Sequence, residues 1–423
     1  MTRATLQDDA GTTPVDGQTH ENLGIYEDRR ASTQKSDSPV PAGRFPWAAL
    51  LIMALMGFLL IATETMPAGL LPQIGAGLNI TEGTAGQFVS AYALGTVIAA
   101  MPAIAMTRGM RRKPVFLVGI LGFLVANLIT AFSTDVVLSL GARLLAGAFS
   151  GLLWGMLAGY ARRITAPEHA GRALSVACLG TPAGLAVGTP FGSWLGTTFD
   201  WRWSFGVLSI LTVVTLLLAV FLVPDASGQR AGTRVPLVRV FAIPGVAVVL
   251  GVIVSWMLGH NILYTYIGSY VRTASLQLSV EVALVTFGAA AIAGIAITGA
   301  VIDKGLRRLV LLSLGCFIAA GVIFIVGHAS VVAVIAAIML WGMAFGGAAP
   351  QLQTAISAAS GENADVANSM LGVAFNLAIF AAGVVGAVVI SNFDGLVLPV
   401  AMAGLAAMAL IIAVAGHRTA FPT

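Results

Sequence analysis

The sequence has little charge, two cysteines and only three lysines. Asp, Glu, Lys and Arg make up 9% of its 423 residues, against about 25% in soluble domains. The cysteines, Cys178 and Cys316, lie in separate apolar runs, so neither a disulfide framework nor a metal site is predicted. No GxxxxGK[ST] loop and no group of His, Cys and carboxylates at metal-ligand spacing occurs. We therefore predict no ATP hydrolysis, no metal, no other cofactor and no enzymatic activity.

Apolar residues dominate instead, at 58% of the chain, with a mean hydropathy of +0.93. A helix needs about 20 predominantly apolar residues to cross about 30 Å of hydrocarbon. Twelve runs of that length predict an all-α integral membrane protein. The predicted spans lie near residues 47–70, 84–106, 115–133, 136–160, 172–196, 203–223, 244–268, 281–302, 309–327, 331–355, 367–390 and 396–416.

The basic residues predict how the spans are oriented. Of the 22 Lys and Arg residues, 19 lie in alternate segments that are on one side if the termini are cytoplasmic. Arg202 and Arg272 fall on the other side, and Arg143 lies within a span. Because cytoplasmic loops of membrane proteins are enriched in Lys and Arg, we predict a multi-pass membrane protein with both termini inside. The net charge of +4 then reports topology, and no nucleic-acid partner is expected.

Two segments lack apolar runs and divide the chain. Residues 1–44 are polar and rich in Ser, Thr, Asp and Pro, which predicts a disordered cytoplasmic tail without a cleavable signal. Residues 224–243 form the other long inner segment and are predicted to be a cytoplasmic linker. They separate a six-span half at 45–223 from a second at 244–418.

A short basic pattern suggests that the two halves are repeats. TRGMRR begins at Thr107 after span 2, and DKGLRR begins at Asp303 after span 8, an offset of 196 residues. By the same offset, Glu64 in span 1 corresponds to His260 in span 7. In such repeats the substrate site commonly lies between the halves near the membrane midplane.

Glu64 is the most unusual residue, because the stretch IATETMPAGLLPQI places a carboxylate inside span 1. Such a residue costs at least about 2.5 to 3.5 kcal/mol and is expected to be functional and to have a partner. Arg143 is the candidate, since both residues lie roughly 9 to 10 Å from the outer ends of their spans at about 1.5 Å per residue. The alternative is a permanent ion pair that only joins two helices.

Span 5 carries glycines at every fourth position, which places them on one helical face that a neighbouring helix can approach closely. The glycines are Gly180, Gly184, Gly188, Gly192 and Gly196. Ordinary glycine-rich helix packing is a sufficient explanation of this pattern from physics alone.

Two six-helix halves with a basic loop after spans 2 and 8 resemble the major facilitator superfamily, from about residue 45 to residue 418. More narrowly, four stretches resemble its proton-coupled efflux branch of bacterial drug and sugar exporters, the arabinose-efflux-permease-like group. They are ATETMPAGLLPQI in span 1, GARLLAGAFSG in span 4, GTPAGLAVGTPFGSWLG in span 5 followed by DWRWSF, and GHNILYTYIGSYV in span 7. The chain departs from the family pattern at Thr107, where the first basic loop normally has Asp, and at Ala146, where span 4 often has Gln.

The resemblance implies a fold of two pseudo-symmetric six-helix halves in a bacterial inner membrane, with spans 1, 4, 7 and 10 lining a central cavity. It implies that Glu64 and Arg143 face this cavity, and we predict that they take part in proton coupling. His260 is predicted to join them, because its position repeats that of Glu64 and imidazole titrates near physiological pH, although a lone histidine is often simply bonded to a neighbour. Further roles follow for three groups. The predicted substrate contacts are Tyr264, Tyr266, Trp154, Trp341, Gln351, Gln353 and Asn376. The predicted gating residues are Arg108, Arg111, Asp303 and Arg307, although these basic loops could instead only anchor the ends of the spans. The antiporter motif comprises Gly184, Gly188, Pro190 and Gly192.

The predicted function is export of a small molecule, a sugar or drug-like compound, in exchange for protons by a monomer in the lipid bilayer. Few fixed charges line the predicted cavity, which argues against a multiply charged anion. Two alternatives stay open at this stage: a facilitator that needs no proton, and a membrane sensor that transports nothing.

Overall fold

Twelve helices of the described residues are long and apolar enough to cross a membrane, which confirms the predicted number of spans. The computed structural model describes residues 45–107, 109–228 and 240–421. The first six helices are α1 (Trp47–Gly69), α2 (Glu82–Thr107), α3 (Arg112–Phe132), α4 (Val136–Arg163), α5 (Pro167–Thr198) and α6 (Trp201–Leu222). The last six are α7 (Gly245–Thr265), α8 (Val280–Lys304), α9 (Leu306–Val326), α10 (Val331–Ser360), α11 (Val366–Asn392) and α12 (Gly395–Arg418).

Some predicted features lie outside the described residues. These are the tail at 1–44, Arg108 of the first basic loop, and residues 229–239 of the linker. From Pro46 onward the chain forms one compact unit that contains all twelve helices.

The even-numbered helices start at one end of the molecule, which we call the Glu82 end; the opposite end, where α3 starts, is the Arg111 end. Side-chain oxygens accept hydrogen bonds from backbone N–H groups at five of these starts. They belong to Asp135, Asp200, Ser279, Ser330 and Asp394. Such caps satisfy N–H groups that have no partner within the helix, which explains where these helices begin.

Helix pairing is repeated in the two halves. In the first half α2 packs on α4, α3 on α6 and α1 on α5; in the second, α8 packs on α10, α9 on α12 and α7 on α11. Between the halves, α2 packs on α11 and α5 on α8. The pairs correspond one to one, as expected for the repeat that the basic loops indicate.

Equivalent helix breaks support the same offset. The chain leaves helical geometry at Leu70 (φ −125°, ψ 12°) after α1 and at Tyr266 (φ −110°, ψ 24°) after α7. Leu70 and Tyr266 are 196 residues apart, as are Thr107 and Asp303. Glu64 and His260 each precede their break by six residues and therefore occupy equivalent places.

The glycine face of α5 packs against α1, as its four-residue spacing predicts. A Cβ atom on Gly184 would lie 2.9 Å from Ile61, and one on Gly188 would lie 2.7 Å from Ala62. Gly180, Gly192 and Gly196 make equally close approaches to residues between Ala54 and Leu70. The helix that bears Glu64 is thus covered along its length by α5, and the contact permits no larger side chains without movement.

Candidate functional site

Arg143 of α4 is fully buried and joins three helices. Its Nη2 donates to the backbone oxygen of Thr63 in α1 at 2.9 Å, and its Nε donates to the backbone oxygen of Phe88 in α2 at 3.1 Å. Hydrogen bonds from a charged donor are roughly twice as strong as neutral ones. Arg143 therefore fixes α1, α2 and α4 relative to one another.

Two aromatic rings complete the surroundings of this guanidinium. The Arg143 Cζ atom lies 4.7 Å from the ring centroid of Tyr92 and 5.4 Å from that of Phe205, within the range of cation–π attraction. The hydroxyl of Tyr92 donates to the Leu60 backbone oxygen at 3.1 Å. Tyr92 was not among the predicted site residues, because a tyrosine in an apolar span gives no signal that it lies beside an arginine.

Glu64 follows Thr63 and is 7% exposed. It lies within electrostatic range of Arg143 and Tyr92, so the two predicted charges do come together. The direct tie that the sequence analysis expected is not formed: the ion pairs of the described residues are Arg111–Asp225, Arg202–Asp200 and Arg272–Glu82. Within that part of the chain, the buried Nη1 of Arg143 has no hydrogen-bond partner.

His260 lies in an aromatic cluster of the second half. The indole Nε1 of Trp341 donates to its Nδ1 at 3.1 Å, and its ring stacks on that of Phe345 with centroids 3.5 Å apart. Tyr264 and Phe287 also contact the ring. Because an indole N–H only donates, Nδ1 of His260 carries no proton and the ring is neutral. This matches the alternative of a histidine that is simply bonded to a neighbour.

Several predicted substrate contacts lie along α4, α7, α10 and α11. Tyr264 is buried beside the hydroxyls of Thr65 and Thr189, which are 2.5 Å apart. Trp154 is half-buried against α1 at Gly57. Gln353 is exposed, and the half-buried Asn376 donates to the backbone of its own helix.

Two other predicted contacts have protein partners. Gln351 is fully buried, and its Nε2 donates to Thr298 at 3.2 Å and to Ser313 at 3.1 Å, so it joins α8, α9 and α10 inside the second half. The hydroxyl of Tyr266 donates to the backbone oxygen of Gly383 at 2.7 Å. Polarity alone did not reveal that these groups are used in packing.

The predicted gating residues differ between the two basic loops. Arg111 pairs with Asp225 at 2.5 Å, just beyond the end of α6. In the second loop Asp303 is exposed, and Nε of Arg307 is buried without a hydrogen-bond partner among the described residues. The first loop is thus tied to the start of the linker, whereas the second has no ion pair in this part of the chain.

The charge of Asp225 is held by several donors. Partial burial by itself raises the pKa of this carboxyl, but hydrogen bonds from the backbone N–H groups of Lys113 and Ala226 and the Arg111 guanidinium outweigh it, so the pKa is below its ordinary value of 3.8. Around it, Arg163 donates to the Ser227 backbone oxygen at 3.0 Å. The start of the linker is therefore bound to the first half.

Hydrogen bonds join the two halves at the Glu82 end. Among the described residues they connect Gln87 to Gly383, Ser90 to Phe380, Thr197 to Glu281, Tyr266 to Gly83, and Ser269 and Arg272 to Glu82. Two depressions of about 480 and 470 Å³ flank Arg272, and neither reaches Glu64.

The family model of the Major Facilitator Superfamily matches residues 53–383. A chloramphenicol efflux pump of Mycobacterium tuberculosis is 26% identical over 89% of this chain and 95% of its own length. A probable sugar efflux transporter of Helicobacter pylori is 23% identical over 82% of this chain and 89% of its own. The transcription regulatory protein OpdE of Pseudomonas aeruginosa is 29% identical over 66% of this chain and 69% of its own.

Proposed function

Because the chain belongs to the major facilitator superfamily, we propose that it exports a small molecule, a sugar or drug-like compound, in exchange for protons. The efflux relatives support the direction of transport, since they are named as a chloramphenicol efflux pump and a probable sugar efflux transporter. The twelve helices support a multi-pass membrane protein. The positive-inside rule supports cytoplasmic termini in a bacterial membrane, with the Glu82 end outside.

The observation that carries the proposal is that Glu64 and Arg143 lie close together but form no ion pair with each other. A nearly buried carboxylate lies in electrostatic range of a buried guanidinium whose Nη1 has no partner in the described residues. A protonated Glu64 has no charge to draw that group, whereas an ionised Glu64 attracts it strongly in a low-dielectric interior. Gain and loss of one proton therefore changes what joins α1 to α4.

Alternating access links this switch to transport. In the proposed cycle, a proton from outside neutralises Glu64 and favours release of the cargo there. The halves then rock so that they meet at the Glu82 end, as in this structure. Loss of the proton to the cytoplasm lets Glu64 pair with Nη1 of Arg143, and the site is ready for the next cargo molecule. The six-helix halves move as units in this cycle, with the glycine face of α5 against α1.

The test is Glu64→Gln, which imitates the protonated carboxyl while keeping its shape. In proteoliposomes, gradient-driven export is expected to collapse, whereas exchange of cargo for cargo without a gradient persists because it requires no change of charge. Glu168→Gln, at an exposed position at the start of α5, is the matched control and is expected to behave as wild type. Gradient-driven export near the wild-type rate in Glu64→Gln would make Glu64 a structural residue.

A specific observation favours one alternative function, a membrane sensor: the relative OpdE carries the name of a transcription regulatory protein. A facilitator without proton coupling is the other alternative. Flux of labelled sugars and amphiphilic drugs, measured with and without an imposed pH gradient, distinguishes all three. A sensor moves nothing, a facilitator ignores the gradient, and an antiporter follows it.

A further inference from the structure

Tyr266 stands at the break between α7 and the short helix Ile267–Thr273, and its ring packs between α11 of its own half and α2 of the first half. Its hydroxyl donates to the backbone oxygen of Gly383 in α11 at 2.7 Å, and the backbone oxygen of Gly83 in α2 is 3.5 Å away. The side chain is fully buried. The ring thus lies where α2 of one half meets α11 of the other.

Glycines create the space that the ring fills. A Cβ atom on Gly86 of α2 would collide with the Tyr266 hydroxyl and ring, and one on Gly386 of α11 would collide with the opposite edge of the ring. We call Gly83, Gly86, Gly383 and Gly386 the glycine slot. Any larger side chain at Gly86 or Gly386 would have to displace the tyrosine.

Polar contacts surround the slot on the same end of the molecule. Glu82 accepts a hydrogen bond from Ser269 at 2.7 Å and pairs with Arg272. Gln87 donates to the backbone oxygen of Gly383 at 3.1 Å. The ion pair is partly exposed, and such pairs contribute little, so the packing of the ring in the slot is the larger part of this contact.

We infer that Tyr266 is the plug of a gate at the Glu82 end: its ring fills the glycine slot when the halves meet there and leaves the slot when the cargo site opens to that side. This replaces the role in substrate binding that the sequence predicted for Tyr266. The inference rests on the proposed alternating access for its place in a cycle, but the contact itself joins the two halves in this structure. Gly83 and Gly86 of the slot belong to the first half, whereas Gly383 and Gly386 belong to the same half as Tyr266, so separation of the halves removes the α2 side of the slot.

The test measures the distance across the gate by electron paramagnetic resonance, with spin labels at the exposed positions Thr81 and Asn392 and serine in place of Cys178 and Cys316. Gly86→Ala is expected to raise the ratio of the long to the short distance by about tenfold, the effect typical of overpacking a close contact. Gly386→Ala is expected to act in the same direction.

Gly372→Ala is the matched control, because it lies on the same helix as Gly386 and its Cβ would meet nothing within 4 Å. Its distance distribution is expected to equal that of the wild type. Tyr266→Ala removes the plug without adding volume, so it also favours the long distance and remains informative if a glycine variant does not fold. In the Tyr266→Ala background, Gly86→Ala is expected to have no further effect, since the two act on one contact.

The inference is overturned if Tyr266→Ala keeps the wild-type distances, or if Gly86→Ala shifts them equally with and without Tyr266. The measurement needs neither cargo nor a proton gradient, so it is independent of the proposed transport. If the distances respond as expected but Glu64→Gln still exports normally, the role of Tyr266 as a plug is supported and proton coupling is refuted. If Glu64→Gln loses gradient-driven export but the distances do not respond to the slot variants, proton coupling is supported and the plug is refuted.

Discussion

Glu64 and His260 occupy equivalent places in the two halves, six residues before equivalent breaks, yet their surroundings differ completely. Glu64 lies beside a buried guanidinium that is bonded to backbone oxygens. His260 lies among aromatic rings and accepts a hydrogen bond from Trp341. The repeated fold thus provides two similar frameworks, and the side chains make one ionic and the other apolar.

This difference suggests a division of labour. A charge can be gained and lost where an opposite charge stabilises the ionised form, which Arg143 provides beside Glu64. His260 instead contacts the buried aromatic rings of Tyr264, Phe287 and Trp341. The following changes test that division, from the largest expected effect to the smallest.

Arg143→Gln is expected to have the largest effect. It removes two hydrogen bonds from a charged donor, each worth about 1.5 to 3 kcal/mol, and leaves two buried backbone oxygens without them. Transport is expected to fall at least about 100-fold, since about 2.7 kcal/mol corresponds to that factor, and the melting temperature is expected to drop. Arg308→Gln, at an exposed position at the start of α9, is the control. Full activity in Arg143→Gln would contradict the ionic role of the first half.

Tyr92→Phe is expected to have an intermediate effect. It keeps the ring beneath Arg143 but removes the bond to the Leu60 backbone oxygen, which costs about 0.5 to 1.5 kcal/mol. Tyr160→Phe removes a similar bond, to the Pro224 backbone oxygen at 2.7 Å, far from Glu64. Both variants should lose similar stability, but only Tyr92→Phe should shift the pH dependence of export. An equal pH profile in both would mean that Tyr92 is a packing residue.

Asp225→Asn is expected to slow transport a few-fold without altering its pH dependence. The pKa of Asp225 is below its ordinary value, so its contribution to stability is fully present above the unfolded pKa and is lost as the pH falls through the folded pKa. The residue is therefore ionised at every pH between about 5 and 8. The ratio of mutant to wild-type transport should stay constant over that range. A ratio that varies with pH would place Asp225 in the coupling mechanism.

His260→Gln is expected to have the smallest effect. The amide oxygen of the glutamine can accept the Trp341 indole N–H, and no charge is lost because the histidine is neutral here. Export should stay within about threefold of wild type, as for loss of less than 1 kcal/mol, and the midpoint of its pH dependence should not move. A shifted midpoint would show that the second half also carries protons.

The positions of the charges could be predicted from the sequence, but their hydrogen bonds could not. The insertion cost of Glu64 and its depth relative to Arg143 were enough to predict that the two residues lie near each other. The partners of Arg143 are backbone oxygens of Thr63 and Phe88, and any residue type carries such an oxygen, so no sequence pattern predicts them. The role of Tyr92 was missed for a related reason, because a tyrosine is common in spans and its neighbours belong to other helices.

The predicted substrate residues show the same limit. Gln351 and Tyr266 were predicted because they are polar and lie on the expected cavity helices, but both side chains donate hydrogen bonds to residues of other helices. The glycine slot was not predicted, since Gly86 and Gly386 are far apart in the chain and contact the same ring only when the halves meet. The glycine face of α5 was predictable, because its five glycines lie on one helix at a regular spacing.

The sequence by itself determined what the bilayer imposes: twelve spans, a division into six and six with an offset of 196, and one acid and one arginine at similar depth. These features follow from the length and hydropathy of each run and from the spacing of repeated motifs. Such properties can be read along the chain, because a bilayer requires each spanning segment to be an apolar helix. Only the tertiary structure decided which groups meet. The Arg143 guanidinium donates to backbone oxygens, the neutral His260 accepts a hydrogen bond from the Trp341 indole, and Tyr266 packs between α2 and α11. Such contacts depend on side-chain direction and on distances of a few ångströms between helices, and residues far apart in the chain do not encode them in any pattern that can be read along it.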